Sequence, residues 1–503
     1  MLDRTLIFSV FVVASCGLAY ELITAALASY LLGDSILQFS TIIGCYLFAM
    51  GIGSHLAQYV PEDKVLDRFI EIELLVGLIG GLSATLLFVI FAWLSMPFRT
   101  VLYALVLIIG MLVGMEIPLV MRVLNQHKAE FSALISRVLT FDYLGALAVS
   151  LLFPLILAPK LGLARSALLF GISNAAVAAW TIYRFKDQLQ SVSRQRNRAI
   201  LSLGFLMLAF VGSDKLVSWS EQQIFADPII HAQSTPYQRL IVTRWQDDLR
   251  LYINGNLQFS SRDEYRYHEA LVHPALATRP QAKTVLVLGG GDGLAMREIL
   301  RYPHIEHATL VDLDPEMTGL FSTNAELTKL NHHALLNKKV TVINADAGHW
   351  LEQQQQKFDV IIADFPDPSN FGLGKLYSVP MYRLVKQHLK PNGLFVVQST
   401  SPFFARQSFW CIDTTLKAAG FFTYPYHVLV PSFGEWGYVL ADLTGNYQPP
   451  QHYQLPMQFL DAASTALMFQ FPPDMQPVKV EANRLNNQML VHYFEQDWAR
   501  VIR

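Results

Sequence analysis

The chain has 503 residues, of which 52% are hydrophobic and only 16% are charged, and its mean hydropathy is +0.31. This composition excludes a disordered, collagenous or disulfide-scaffold protein. The formal charge of −2 gives no reason to expect a nucleic-acid partner, because such binding relies on basic residues that displace counterions. Three cysteines are too few for a disulfide framework, and their spacing predicts no metal site.

Charged residues are distributed unevenly. Residues 1–213 contain 14 Lys and Arg and 12 Asp and Glu. The other 290 residues contain 24 Lys and Arg and 28 Asp and Glu. A transmembrane helix needs about 20 mostly apolar residues. Such runs occur at residues 5–32, 36–59, 72–95, 99–121, 141–158, 163–183 and 198–213. The sequence predicts an α-helical transmembrane bundle of about seven helices in residues 1–215, and thus a multi-pass protein of the cell (inner) membrane whose partner is the lipid bilayer.

Basic loop residues predict the orientation of this bundle. One cluster precedes the seventh run and comprises Arg184, Lys186, Arg194, Arg196 and Arg198. Cytoplasmic loops carry the excess of Lys and Arg, so the amino terminus is predicted to be cytoplasmic. Seven crossings would place the carboxyl-terminal part outside. Asp214 and Lys215 end the seventh run early, however, and a seventh helix lying on the membrane surface would keep that part inside.

Three acidic residues lie inside apolar runs: Glu21, Glu116 and Asp142. Ionisable groups at membrane depth are costly and normally face the bundle interior, where they mark sites for substrates or cations. The alternatives are a hydrogen bond between packed helices or, for Asp142, a helix cap. The pattern leaves both interpretations open.

From about residue 221 the sequence has the pattern of a water-soluble α/β protein. Alternating segments at residues 238–244 and 249–253, followed by Asn254-Gly255, predict antiparallel hairpins. Short apolar runs that alternate with helical stretches predict a parallel sheet with strands at residues 284–288, 308–311, 340–343 and 358–363. The predicted organisation is a small antiparallel β domain (residues 221–278), an α/β Rossmann-like domain of the methyltransferase type (residues 279–445) and a carboxyl-terminal extension (residues 446–503).

An acidic residue follows each predicted parallel strand. The first strand leads into residues 289–293, Gly-Gly-Gly-Asp-Gly, and the others lead to Asp312, Asp346 and Asp364. Ligands bind beyond the carboxyl ends of such strands, and Asp312 stands where an acid accepts the ribose hydroxyls of a nucleoside. A strand-end Asp can also cap a helix. No Lys or Arg accompanies the glycines, so the pattern favours a sulfonium nucleoside and a cationic acceptor over a phosphorylated nucleotide.

Residues 285–298, Val-Leu-Val-Leu-Gly-Gly-Gly-Asp-Gly-Leu-Ala-Met-Arg-Glu, resemble the signature of the spermidine synthase (polyamine aminopropyltransferase) family. The resemblance covers about residues 225–445 and includes Tyr237-Gln238-Arg239, residues 262–269, His273-Pro274-Ala275-Leu276, Asp364-Phe365-Pro366-Asp367-Pro368 and Leu389-Lys390-Pro391-Asn392-Gly393. Some bacterial members of the family resemble the chain throughout, because they carry a multi-pass membrane segment ahead of the synthase domain. The resemblance implies a homo-oligomer that transfers the aminopropyl group of decarboxylated S-adenosylmethionine, its co-substrate, to putrescine. The products would be spermidine and 5'-methylthioadenosine, with no other cofactor and no metal.

The resemblance also implies roles for single residues, each assigned by its position in a motif. Asp364 would accept the proton of the attacking amine. The contacts to the amine and the aminopropyl group would come from Gln238, His268, Asp292, Asp367 and Gln398. The nucleoside would be bound by Gly289, Gly291, Asp312, Asp346 and Ala347, the last two at the adenine edge.

Elementary chemistry agrees with two acids near the acceptor. A diamine is almost wholly ammonium at pH 7, because its pKa is lysine-like, at about 10. One carboxylate must accept a proton while another binds the far ammonium. Asp364 and Asp367 fit this division of roles, although Asp367-Pro368 is also a common turn sequence.

The chain departs from the family pattern at three places. Residues 369–374 replace the usual lid sequence, Asp312 stands in place of a glutamate and shortens the arm to the ribose, and a tyrosine that often contacts the amine is missing near residues 431–437. These changes bear on the acceptor more than on the nucleoside. Alternatives to putrescine are cadaverine, agmatine and spermidine. A methyltransferase that uses intact S-adenosylmethionine is disfavoured by Asp292 and the Asp364–Asp367 pair. The membrane acids favour a further alternative, a membrane polyamine transporter or sensor whose synthase-like domain only binds ligand.

Overall fold

The computed structural model describes residues 2–32, 35–93, 98–125 and 131–500. Two compact units divide the chain, Met1–Pro228 and Ile229–Arg503. The first unit comprises seven long helices among its described residues: α1 (Leu2–Leu32), α2 (Ser35–Leu56), α3 (Val65–Trp93), α4 (Phe98–Asn125), α5 (Phe131–Leu152), α6 (Ala158–Arg184) and α7 (Val192–Ile224). By length and apolar composition they form six candidate membrane spans, with α5 and α6 counted together as Ile135–Arg184.

Helices α5 and α6 form a hairpin. Ser15 on α1 donates a hydrogen bond to the carbonyl of Gly145 at 3.2 Å, and its neighbour Cys16 donates to the carbonyl of Phe170 at 3.5 Å. A straight helix would separate Gly145 from Phe170 by about 37 Å, at 1.5 Å per residue. The chain instead turns at Gly162, whose φ of 73° is not helical. The predicted break between residues 158 and 163 is therefore present.

Helix α7 is longer than its apolar run. It begins at Val192 and ends at Ile224, whereas the sequence pattern predicts a helix over residues 198–213. Asp214, which ends the apolar run, forms an ion pair with Arg165 of α6 at 2.5 Å. The helix continues past the apolar run, because an acid with a partner on another helix does not stop it.

The second unit begins with a four-stranded antiparallel sheet: β1 (Ile229–Ser234), β2 (Arg239–Trp245), β3 (Asp248–Ile253) and β4 (Asn256–Ser260), paired in chain order. Asn254 and Gly255 connect β3 to β4 with φ values of 50° and 81°. These are the positive angles that a two-residue hairpin turn requires. The sequence pattern predicts the hairpins but not β1.

A seven-stranded sheet follows α8 (Glu264–Leu276). Its strands are β5 (Thr284–Gly289), β6 (His307–Asp312), β7 (Val340–Asn344), β8 (Phe358–Asp364), β9 (Leu389–Gln398), β10 (Phe422–Val430) and β11 (Gly434–Asp442). They are ordered β10-β11-β9-β8-β5-β6-β7, with β5 to β9 parallel and β10 and β11 antiparallel. The four predicted parallel strands and the Rossmann-like fold are confirmed.

The remaining helices connect and cover these strands: α9 (Leu294–Leu300), α10 (Pro315–Thr323), α11 (Ala325–Leu330), α12 (Ala347–Gln353), α13 (Phe371–Gly374), α14 (Val379–Gln387), α15 (Arg406–Ala419), α16 (Ala462–Met468) and α17 (Met489–Trp498). Apolar side chains from the helices and strands form two buried clusters in this unit. The domain boundaries predicted near residues 215, 278 and 445 stay predictions.

The order of the strands determines where a ligand can bind. Strand β5 lies between β6 and β8, with Gly289 opposite Asp364 and Leu288 opposite Val311. The chain leaves β5 toward one side of the sheet and later returns to the other side. Ligands of open α/β sheets bind at such a switch point, beyond the carboxyl ends of the strands. Three of the predicted acids, Asp292, Asp312 and Asp364, follow these strands.

Candidate active site

The loop after β5 contacts the acids that end the two neighbouring strands. The N–H of Gly290 donates to the main-chain carbonyl of Asp364 at 3.1 Å, and the N–H of Gly291 donates to Oδ2 of Asp312 at 3.0 Å. A Cβ at Gly290 would lie 3.0 Å from Oδ2 of Asp364, and a Cβ at Gly291 would lie 2.7 Å from Oδ2 of Asp312. A side chain at either position would push an acid aside, and Gly290 also has a φ of 65°, which favours glycine. The loop thus joins the two acids in one site.

Asp312 accepts main-chain hydrogen bonds on both carboxylate oxygens. Gly291 donates to Oδ2, and the N–H of Asp314 donates to Oδ1 at 2.9 Å. Burial raises the pKa of Asp312 to about 6, although these hydrogen bonds oppose the shift. Gln238 donates through Nε2 to Oδ2 of Asp314 at 2.8 Å. The loop between β1 and β2 thus contributes Gln238 to the surroundings of Asp312.

Asp364 accepts a hydrogen bond from a residue to which the sequence analysis gave no role. The hydroxyl of Tyr267 lies 2.6 Å from Oδ1 of Asp364. Burial raises the pKa of Asp364, while the charge of His268 and the Tyr267 hydrogen bond lower it in part. The position of Tyr267, directly before His268 in the family motif, is the signal that could have identified it.

Aromatic rings surround the Tyr267 side chain. Its ring centroid lies 6.4 Å from that of Phe433, 6.5 Å from that of Trp436 and 5.5 Å from that of Tyr438. Phe433 and Trp436 belong to the segment where the family often has another tyrosine. Aromatic side chains therefore occupy this side of the site even though that tyrosine is missing.

His268 is held by a buried network of charged groups. Its Nδ1 lies 2.7 Å from Oε2 of Glu264, and Arg297 binds both oxygens of Glu264 at 2.8 and 3.0 Å. Burial opposes a charged imidazole, but the hydrogen bond and charge of Glu264 raise the pKa of His268. Burial also disfavours the charged form of Glu264, yet His268 and Arg297 lower its pKa. The network fixes the His268 ring beside the predicted site, and neither Glu264 nor Arg297 was predicted as a site residue.

Asp292 lies close to His268 and Asp364. Its Oδ1 accepts a hydrogen bond from the N–H of Leu294 at 2.8 Å, at the start of α9. Burial raises the pKa of Asp292 to about 6; the charge of His268 lowers it, and the charge of Asp364 raises it. Both aspartates in turn raise the pKa of His268. The structure thus brings three predicted residues close enough to influence one another.

Asp367 has one carboxylate oxygen without a partner. Thr400 donates to Oδ2 at 3.3 Å, whereas Oδ1 is shielded from solvent and accepts no hydrogen bond among the described residues. Burial raises the pKa of Asp367 to about 7, and the polar side chains of Gln398 and Thr400 lower it only in part. An ammonium group would satisfy the free oxygen.

The side-chain amide of Gln398 forms hydrogen bonds with other groups of the protein. Its Nε2 lies 2.5 Å from the carbonyl oxygen of Phe365 and 2.6 Å from the hydroxyl of Tyr377. Its Oε1 accepts the N–H of Thr400 at 3.0 Å. These bonds fix the segment that carries Asp367, and a direct contact with an amine stays a prediction.

Asp346 also uses its carboxylate within the protein. Oδ1 accepts the N–H of His349 at 3.0 Å and so caps α12, and Oδ2 lies 2.8 Å from Nζ of Lys375. Burial disfavours the charged form, but Lys375 and the main-chain donors lower the pKa of Asp346. This is the helix-cap arrangement that the sequence allowed. Ala347, the next residue, is buried, and the adenine contact of this pair stays a prediction.

The arrangement as a whole suits a cationic nucleoside and an amine. Acids from the ends of β6 and β8 and from the glycine loop meet at the carboxyl edge of the sheet, and no Lys or Arg among the described residues forms a hydrogen bond with any of the three. In the described part of the chain, no group of three or more His, Cys, Asp or Glu side chains is arranged to hold a metal ion. The site therefore offers carboxylates to a positively charged ligand.

Comparison with known proteins identifies the family. The family description "Spermine/spermidine synthase domain" matches residues 264–449. A protein of Ralstonia nicotianae named polyamine aminopropyltransferase 2 is 63% identical over 506 residues, which cover 100% of this chain and 99% of the relative. The polyamine aminopropyltransferase of Leptospira interrogans is 49% identical over 501 residues, with full coverage of both chains.

A solved structure of spermidine synthase in complex with the transition-state analogue AdoDATO is 22% identical to this chain. The similar region covers 48% of this chain and 85% of the solved chain, with a TM-score of 0.45. The two bacterial relatives, by contrast, are similar from end to end, and their similarity includes the helical unit. Because these two relatives are 63% and 49% identical over the whole chain, it belongs to the polyamine aminopropyltransferase family.

Proposed function

We propose that this aminopropyltransferase uses putrescine as its acceptor and produces spermidine and 5'-methylthioadenosine from decarboxylated S-adenosylmethionine. The acids of the loop after β8 support this choice most directly. Asp364 and the partly unpaired Asp367 are three residues apart, and burial raises the pKa of both. One can accept a proton while the other binds the far ammonium of a short diamine.

The reaction is a displacement at the carbon beside the sulfonium. The amine gives up a proton to Asp364, its lone pair forms the new C–N bond, and the C–S bond breaks. The electron pair of that bond goes to sulfur, so methylthioadenosine leaves neutral and needs no proton. Asp312 accepts the ribose hydroxyls, the Gly289–Gly291 loop lies against the nucleoside, and Asp292, His268 and Gln238 line the aminopropyl side.

The acceptor can be identified with the full-length protein in detergent. We expect release of methylthioadenosine to depend on putrescine and to be at least tenfold slower at equal concentrations of cadaverine, agmatine or spermidine. Faster release with one of these amines would replace putrescine as the acceptor. Methyl transfer from intact S-adenosylmethionine, without aminopropyl transfer, would contradict the proposed reaction itself.

Tyr267→Phe should shift the pH dependence of turnover. The hydroxyl of Tyr267 stabilises the ionised form of Asp364, so its removal raises the pKa of Asp364 further. Only the ionised acid can accept a proton, so the acidic limb of kcat/KM for the amine should move to higher pH. Below the pKa of Asp364 we expect a loss of about 10- to 100-fold, the value of one hydrogen bond to a charged group, and well above that pKa we expect the two proteins to have similar activity. Tyr265→Phe on the same helix is the matched control, and equal profiles for the two variants would contradict the role of Tyr267.

Asp367→Asn should change stability in a pH-dependent way. An acid whose pKa is raised on folding to about 7 destabilises the folded state when ionised. This destabilisation is complete above pH 7 and absent below the ordinary pKa of an aspartate, about 4. The variant should therefore become more stable relative to the wild type as the pH rises from 5 to 8, which is measured as an increasing difference in Tm. The exposed Asp474→Asn is the control, and a constant difference would show that Asp367 is not held in a raised-pKa environment.

We also propose that the amino-terminal unit is a multi-pass bundle in the cell (inner) membrane and that the enzyme is a homo-oligomer. The six candidate spans, one of them the α5–α6 hairpin, support the first point. Extraction of the protein from membranes only by detergent, and not by alkaline carbonate, is the expected result. A reporter fused after Arg503 identifies the side of the membrane, and light scattering of the detergent complex gives the subunit number.

A further inference from the structure

A cavity of about 190 Å³ lies inside the amino-terminal unit, among α1, α2, α4 and α5. Most of its wall is apolar and comes from Val, Ala, Leu, Ile and Met side chains. Its polar lining consists of the acids Glu21, Glu116 and Asp142 and of the tyrosines Tyr46 and Tyr143. The three acids that stood out in the sequence as isolated charges thus line one space, and no Lys, Arg or His is among the described residues around it.

Glu116 is the most deeply placed of the three acids. Its side chain is 2% exposed, and Oε1 is shielded from solvent without any hydrogen-bond partner in the described part of the chain. The hydroxyl of Tyr46 cannot satisfy it while it donates to the carbonyl of Gly17 at 2.8 Å. An unpaired buried carboxyl group is costly, so an oxygen of this kind on a cavity wall indicates a ligand that donates hydrogen bonds.

The chemistry of the wall distinguishes between possible cations. Metal ions such as Ca²⁺ take six to eight oxygen ligands that converge on one point, and in the described part of the chain no three acidic side chains are arranged in that way. A diamine carries two ammonium groups, each with three N–H donors, which can reach carboxylates at separate points of the cavity wall. The carbon chain of an alkylamine would contact the apolar side chains. The cavity volume is several times the volume that one water molecule needs, so a short linear amine can fit.

We propose that this cavity binds a protonated short alkyl diamine through Glu21, Glu116 and Asp142. The site belongs to the amino-terminal unit and is therefore separate from the aminopropyltransferase site, and its existence does not rest on the proposed acceptor. It gives the helical unit a ligand-binding role of its own.

Carbodiimide protection tests the site in the wild-type protein. The full-length protein in detergent is treated with dicyclohexylcarbodiimide, which modifies buried carboxyl groups, and the modified peptides are identified by mass spectrometry. We expect 1,4-diaminobutane to slow total modification of Glu116 at least tenfold, counted as the carbodiimide adduct plus the amide that the diamine itself forms with an activated carboxyl, whereas 1,4-butanediol, its uncharged analogue, should have no effect. Equal modification with and without the diamine, or equal protection by sodium chloride or butanediol, would overturn the proposal.

A binding measurement with matched variants gives an independent test. Glu73 on α3 is also buried and has two unpartnered oxygens, but it does not line the cavity. Equilibrium dialysis with labelled 1,4-diaminobutane measures how many diamine molecules each chain binds. We expect Glu116→Gln to bind one molecule fewer than the wild type. Glu73→Gln should bind as much as the wild type. Identical binding by Glu116→Gln and Glu73→Gln would contradict a diamine site at Glu116.

Discussion

Asp364→Asn is expected to lower kcat for aminopropyl transfer by about 10²- to 10⁴-fold, the usual contribution of a positioned proton acceptor. The amide of asparagine cannot accept the proton that the amine must lose. It has nearly the same shape as the carboxylate, and it can still accept the hydrogen bond from Tyr267 at Oδ1. The KM for decarboxylated S-adenosylmethionine should therefore change little. Single-turnover measurement of methylthioadenosine release separates chemistry from binding.

The control for Asp364→Asn must carry the same substitution away from the site. Asp474→Asn meets this condition, because Asp474 is exposed. A thermal shift on addition of decarboxylated S-adenosylmethionine shows whether the nucleoside still binds to Asp364→Asn. A variant that binds the nucleoside normally but retains more than a third of the wild-type kcat would mean that another group accepts the proton. Asp292, whose pKa burial raises to about 6, would then be the next candidate.

The large sheet and the position of the site could be predicted from local sequence. Residues 284–288 and 358–363 are short apolar runs bounded by glycine or acid, which is typical of buried parallel strands. The rule that ligands bind beyond the ends of such strands then identified Asp312 and Asp364 without knowledge of the fold. The register of β5 with β8, which places Gly289 opposite Asp364, agrees with this reasoning.

The supporting contacts could not be predicted in the same way, because they join distant parts of the chain. Tyr267 and Asp364 are 97 residues apart, and Glu264 and Arg297 are 33 apart. No periodic pattern connects such pairs. The extension of α7 beyond its apolar run could not be predicted for the same reason, since the partner of Asp214 lies on another helix. Local pattern thus predicts which elements form, whereas the full length of a helix and the groups that adjust the charge of a site depend on tertiary structure.

Asp312→Ala is expected to weaken binding of decarboxylated S-adenosylmethionine by about 10²- to 10⁴-fold. The variant loses two hydrogen bonds between the carboxylate and the ribose hydroxyls, and each such bond contributes about 1.5 to 3 kcal/mol. A carboxylate has about four acceptor positions. The main-chain N–H groups of Gly291 and Asp314 use one on each oxygen, which leaves one on each oxygen for the ribose. Isothermal titration with the full-length protein measures the affinity.

Asp312→Glu provides the matched variant, because it keeps the charge and restores the residue that the family pattern usually has. Oδ2 of Asp312 lies so close to Gly291 that a Cβ on Gly291 would be only 2.7 Å from it. The longer glutamate side chain must therefore rotate away from the glycine loop. We expect Asp312→Glu to bind the nucleoside within about tenfold of the wild type, a difference of 1.4 kcal/mol, and Asp312→Ala to bind far more weakly. Equal affinity of the two variants would show that the ribose is not bound at the end of β6, and the nucleoside would then have to be reassigned to other residues around the glycine loop.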